Sequence, residues 1–228
     1  MELLRPNEER AKTAIILIWV ILVLEVVSLL SSYFQYDLLQ TAAHGGAIST
    51  ETAEENDNRE TIIAVVYSLA RLVSGITFIM WFRRAYFNLH LRVNKLSHTE
   101  GWAAGSWFVP YLNLYRPYQI MKELYEETKK LSLKAEISSN QTFATNYLGV
   151  WWTLWIIGSI IGQFVFRYSL KAETIEQLTT ATTASMLGNI VGIPLALITV
   201  RVIQDYCSLE KLSNETVDND DDEDEETT

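Results

Sequence analysis

Two side chains in this sequence carry charge where charge is costly. Glu25 stands inside the apolar run 14–33, and Arg71 stands inside the apolar run 61–82. On insertion scales an ionisable group at mid-bilayer costs about 3 kcal/mol, so such groups face a bundle or a cavity and hold a partner. At about 1.5 Å per residue, Glu25 lies roughly 18 Å beyond Thr13, and Arg71 lies roughly 18 Å before Arg83. Antiparallel neighbouring helices would bring the two to one depth. Two kinds of chemistry follow from that: an ion pair that fixes packing, or a polar path or ligand site inside the membrane.

Other reactive residue types do not assemble into a reaction centre. The sequence has no His-Glu-x-x-His, no Gly-x-Ser-x-Gly and no phosphate-binding glycine loop. Gly105-Ser106 is similar to an exposed nucleophile, but no histidine falls inside an apolar run to activate it. Glu54-Glu55-x-x-x-Arg59 has the spacing of an intramembrane protease motif, but it sits in a polar stretch. His90 and His98 are expected at the membrane interface rather than on a metal. Cys207 is the only cysteine, which excludes an intrachain disulfide and argues against a Cys-based zinc site. No catalytic residue, cofactor or metal is expected, and the chain is not expected to be an enzyme.

The elements that must position Glu25 and Arg71 are long apolar helices. Runs at about 14–33, 61–82, 147–166 and 181–203 each reach the ~20 residues that cross a bilayer. The first is too long for a signal-peptide core, and no small-x-small cleavage site follows it. The fourth is diluted by Thr182, Thr183, Ser185 and Asn189 and interrupted by Pro194. Placing both termini and the middle region inside puts fourteen basic residues on the cytoplasmic face and only Arg59, Arg167 and Lys171 opposite. That asymmetry orients the chain with residues 1–13 and the C-terminus in the cytoplasm. Residues 35–60, with Gly45-Gly46, read as a flexible connection on the other side. The formal charge of −10 comes mainly from the acid-rich stretch 218–226, so the segment 206–228 is expected to be a disordered acidic tail. Nothing in the charge balance points to nucleic acid.

The third and fourth runs carry Gly158-x-x-x-Gly162 and Gly188-x-x-x-Gly192. Such spacing leaves a flat strip on which helices approach closely, and close packing of these two spans is expected. Between the second and third runs, residues 83–146 form the most distinctive part of the chain. The second span should continue as a helix beyond the membrane, with Trp81, Arg84 and Asn88 on one face. The apolar stretch 103–115 is too short to span, and Pro110 and Pro117 forbid one uninterrupted helix through it. Pro117 suits the first turn of a new helix. In that helix Met121, Leu124, Tyr125 and Thr128 share a face, so a surface helix along the cytoplasmic side is expected.

Three pieces of this sequence resemble the bacterial membrane proteins grouped as domain of unknown function 4328. They are Trp81-x-x-Arg84-Ala85-x-x-Asn88; Gly101-Trp102 through Trp107-Phe108-Val109-Pro110, Asn113 and Arg116-Pro117-Tyr118-Gln119; and Trp151-Trp152-x-x-Trp155. Glu100 departs from the proline expected before Gly-Trp. The tryptophans of the third piece fall where the third span should meet the cytoplasmic interface and are expected to anchor there. The resemblance implies a multi-span protein of the bacterial inner membrane and supplies no activity.

The expected fold is all-α: a polytopic membrane protein with four transmembrane helices and a cytoplasmic, amphipathic and broken helical segment between the second and third. The function expected first is non-enzymatic assembly, in which the broken segment docks a protein partner or a second copy. The alternative is a small transporter, channel or ligand sensor built around Glu25 and Arg71. The lipid bilayer is a partner in either case.

Overall fold

The computed structural model describes residues 4–134 and 146–226. Residues 1–3 of the N-terminal segment, 135–145 of the middle region and 227–228 of the tail lie outside the described residues. The described residues form six α-helices and one 3-10 turn, with no strand among them. The helices are α1 (Glu8–Ala43), α2 (Thr50–Arg92), α3 (Trp102–Gly105), α4 (Arg116–Lys134), α5 (Asn146–Ser169) and α6 (Ile175–Glu226), and the 3-10 turn is Leu112–Leu114. α1, α2, α5 and α6 are each long and apolar enough to cross a membrane. Much of their apolar surface faces outward, including Val23 and Leu30 on α1 and Ile62 and Leu69 on α2. Apolar area on this scale is unfavourable in water and at home in lipid.

The helices outrun the expected spans, and the ends explain why. α1 continues past Tyr33 to Ala43, and α2 already begins at Thr50, so the connection expected over 35–60 shrinks to residues 44–49. Gly45-Gly46 is a helix stop rather than a flexible link. Gly45 takes φ 76°, Gly46 N–H donates to Thr41 O at 2.9 Å, and Gly45 N–H donates to Ala42 O at 3.0 Å. These paired bonds satisfy the last carbonyls of α1 as a left-handed glycine permits. Ser49 then caps α2, its hydroxyl accepting from Thr52 N–H at 3.1 Å. Glu54, Glu55 and Arg59 consequently ride on a helix, and Arg59 Nε donates to Ser31 Oγ on α1 at 2.9 Å. At the start of α6, Thr174 Oγ1 accepts from Gln177 N–H at 3.3 Å and Gln177 Oε1 accepts from Thr174 N–H at 3.3 Å. This reciprocal capping box ends the short turn after α5.

α6 also departs from expectation. Pro194 lies inside it without ending it, as membrane helices permit when neighbours restore the lost backbone bonds. The helix passes Ile203 without a break and reaches Glu226. Tyr206, Leu209 and Ser213 are buried, and Arg92 Nη2 donates to the Ser213 carbonyl. A tail therefore does not begin at residue 206, because the turns to Ser213 are packed.

The chain divides into two compact units. One combines Ile16–Ser74 with Trp151–Thr199 and holds Glu25 and Arg71. The other combines Gly75–Val150 with the segments at both chain ends. Its core is Trp81, Phe82 and Tyr86 from α2, Ile120, Met121 and Leu124 from α4, and Ile203, Tyr206 and Leu209 from α6. The face of α4 that carries Met121, Leu124, Tyr125 and Thr128 is buried against protein, and the Tyr125 hydroxyl donates to the Val202 carbonyl. Lys122, Glu126, Lys129 and Lys130 lie on its exposed side. The apolar stripe read from the sequence is thus covered by this chain itself.

Candidate functional site

Among the described residues Glu25 is the most enclosed charged side chain of the membrane helices, only 2% exposed on α1. Tyr67, on α2, donates its hydroxyl to Glu25 Oε1 at 2.6 Å. One turn along α2, Arg71 Nη1 donates to the Tyr67 hydroxyl at 2.7 Å and stands 3.8 Å from Glu25 Oε1. Arg71 thus reaches the carboxylate mainly through the tyrosine, in a relay of two charge-assisted bonds. α6 closes the other side. With its amide nitrogen turned to Glu25, Asn189 donates to Oε2 at 2.9 Å, while its oxygen accepts from Ser28 Oγ at 3.2 Å. One turn further, Gly192 leaves the space the carboxylate occupies, because a Cβ there would overlap it. Three helices therefore converge on one carboxylate and satisfy both of its oxygens, as a buried charge requires.

The four glycines fall into three situations. A Cβ at Gly188 would press on Ile161 Cγ2 at 3.3 Å, and one at Gly158 would rest 3.9 Å from Leu195 and Val191. These two glycines face the α5–α6 contact. Gly162 has nothing within 4 Å, and Gly192 faces Glu25 on α1 rather than α5. Trp151 and Trp152 are buried. Trp151 Nε1 donates to Thr199 Oγ1 at 3.0 Å, and the Trp152 ring stacks on Trp155 at 4.6 Å.

The distinctive residues of the middle region lie in the other unit and do not gather around one point. Trp81 is fully buried and meets Phe78 at 5.5 Å and Tyr206 at 5.9 Å. Asn88 is a buried clamp that accepts from Arg5 N–H at 3.1 Å and donates to Arg5 O at 2.9 Å and Glu210 Oε1 at 3.2 Å. Arg84 is half-buried, Gly101 precedes α3 in the open, and the Arg116 guanidinium lies 4.8 Å from the centre of the Trp102 ring. Pro117 is buried in the first turn of α4.

After α2 the chain folds back along it. Tyr86 OH donates to His98 O at 3.2 Å, Arg83 Nε donates to Glu100 Oε1 at 3.0 Å, and the Trp107 ring meets Phe82 at 6.3 Å and Phe78 at 5.7 Å. Rising numbers in the returning segment thus meet falling numbers on α2. Pro110 and the half-buried Asn113 follow at the tip, where Phe108 is 74% and Tyr111 82% exposed. Tyr111 takes φ 64°, a strained conformation for a bulky residue. Glu123 on α4 locks the return, accepting from Tyr86 OH at 2.6 Å and from Ser97 N–H at 2.7 Å. Burial alone would raise the Glu123 carboxyl, but these bonds outweigh it and hold it below the usual carboxylate range.

Sequence reasoning singled out Glu25 and Arg71 but missed Tyr67, Ser28 and the inward role of Asn189. Tyr67 sits at i−4 from Arg71, on the same helix face, which is the signal that could have found it. Among the described residues, fold and site together define an all-helical protein with four membrane-length helices and a polar cluster enclosed among three of them. Residues 44–208 match the family described as Domain of unknown function (DUF4328), and the chain belongs to that family. No curated protein and no solved structure matches the chain.

Proposed function

We propose that this protein is a non-enzymatic component of the bacterial inner membrane that assembles with a partner helix inside the bilayer. Both termini and residues 83–146 lie on the cytoplasmic side in this reading, which the basic asymmetry of the sequence supports. The observation that carries it is Arg71. Its side chain is 51% exposed on a face of α2 that also carries the exposed Ala64, Ser68 and Gly75. About 15 Å of helix separates it from Thr61, and a similar length separates it from Phe82, too far for the side chain to reach either interface. A guanidinium has five N–H donors, and lipid tails accept none of them. A second helix offering a hydroxyl, amide or carboxylate oxygen at that depth satisfies the remaining donors, and the small Ala64, Ser68 and Gly75 on the same face let its backbone approach closely.

Transport around the pair is less well supported, because Tyr67, Asn189 and Gly192 already fill the space around the Glu25 carboxylate. A photo-crosslinking residue at position 72, used in native membranes, separates the readings. The expected product is an adduct with a second copy or another membrane protein, told apart by mass, that disappears with Arg71→Leu. Lipid adducts alone, or a protein adduct indifferent to that substitution, would overturn the assembly reading. Reaction of a single cysteine at 72 with a water-soluble thiol reagent would favour transport instead.

A further inference from the structure

The face of α2 that runs Met80, Arg84, Asn88 gathers arginines from two segments of the chain. Arg10 Nη1 donates to the Met80 carbonyl at 3.2 Å, one turn before Arg84. One turn after it, the Asn88 clamp fixes the Arg5 backbone, and the Arg5 guanidinium lies 4.0 Å from the centre of the Phe87 ring. Arg83 adds a further charge beside Arg84, although Glu100 pairs with it at 2.9 Å. The charges of Arg10, Arg5 and Arg83 all act on Arg84, and Glu100 is the acid that opposes them. Among the described residues Arg84 makes no ion pair and no side-chain hydrogen bond. Like charges gathered on one face repel, and an anion among them relieves that repulsion.

The position of the cluster says which anion. It lies where the apolar stretch of α2 ends, and Ile76 and Met80, at 49% and 46% exposure, continue an apolar surface directly from it. A molecule that fits both parts carries a phosphate on long hydrocarbon. We propose that Arg84, with Arg10 and Arg5, binds the phosphate of an anionic phospholipid whose acyl chains lie along Ile76 and Met80. Guanidinium forks match phosphate oxygens two at a time, and basic clusters at helix ends recognise anionic headgroups. The proposal rests on α2 crossing a bilayer and is independent of any partner at Arg71.

The full chain in detergent micelles provides the test, because a ligand that binds the folded state raises the melting midpoint. Phosphatidylglycerol is expected to raise it, while phosphatidylcholine and inorganic phosphate are expected to leave it unchanged. Arg84→Gln and, separately, Arg10→Gln should lose the shift, and Lys122→Gln, on the exposed side of α4, should keep it. If Arg84→Gln fails to fold, Arg10→Gln carries the comparison. Equal shifts from the two lipids, or a phosphatidylglycerol shift that survives both substitutions, would overturn the site. A shift reproduced by inorganic phosphate would show a free-anion site and overturn the lipid assignment.

Discussion

An alanine methyl at position 192 would land on the Glu25 carboxylate, whereas one at position 162 would meet nothing within 4 Å. Both glycines sit on spans of the same kind, so the pair isolates the effect of the contact. Gly192→Ala is expected to destabilise by about 1–3 kcal/mol, the usual cost of forcing a methyl into a filled site. Gly162→Ala should lie within about 0.5 kcal/mol of the parent, as for a substitution that touches nothing. In a Glu25→Ala background the Gly192→Ala loss should shrink, a coupling that thermal melts of the four proteins in detergent would measure. Equal losses in both backgrounds would mean that the glycine makes room for something other than the carboxylate.

At this scale the sequence was legible where chemistry contrasts with its surroundings. A glutamate and an arginine stand out in apolar runs, but a tyrosine, a serine and an asparagine there look like ordinary dilution. Gly192 was visible as a small residue, yet its neighbour could not be known, because spacing along one helix does not say which other helix it meets.

The return of the chain along α2 is held by one carboxylate. Tyr86, Ser97 and Glu123 come from α2, the returning segment and α4, so Glu123 ties three pieces together. Its folded value lies below the ordinary 4.5. The stabilisation it gives is fully present above that pH and is lost as pH falls through the lower, folded value. The melting midpoint should therefore drop on acidification below about pH 4.5, and Glu123→Gln should flatten that drop while lowering the midpoint at neutral pH. An acid limb of unchanged steepness in the variant would show that another group controls it. Pro110 and Pro117 marked this element as broken while it was still only sequence. Its path was not legible, because contacts such as Trp107 with Phe78 join residues far apart in the chain and leave no periodic trace. The helix ends differ from expectation for a related reason. Polar turns such as 50–60 and 204–213 lack an apolar face wide enough to read, and they are kept helical by caps and by contacts with other elements.

For the molecule as a whole, four membrane-length helices were legible because composition alone produces them. The division into two units was not, since its boundaries fall inside continuous helices, at Ile15, Ser74, Val150 and Thr199. The proposed topology makes a whole-chain prediction. A reporter inserted at Gly46 should face away from the cytoplasm, and one fused at the C-terminus should face it. Activity of both reporters on the same side would require an even number of crossings between them and would remove the basis for placing residues 83–146 inside.

The capped turns at 44–49 and after α5 carry a consequence for the living cell. Proteases cut chain that they can draw out into an extended strand, and they prefer loose loop tips. On the face that holds these two turns, a left-handed glycine stop, a serine cap and a capping box hold the backbone in helical bonds almost up to the bends. An enzyme in the surrounding fluid finds very little there to grip. A soluble protease added on that side should therefore cut the chain slowly.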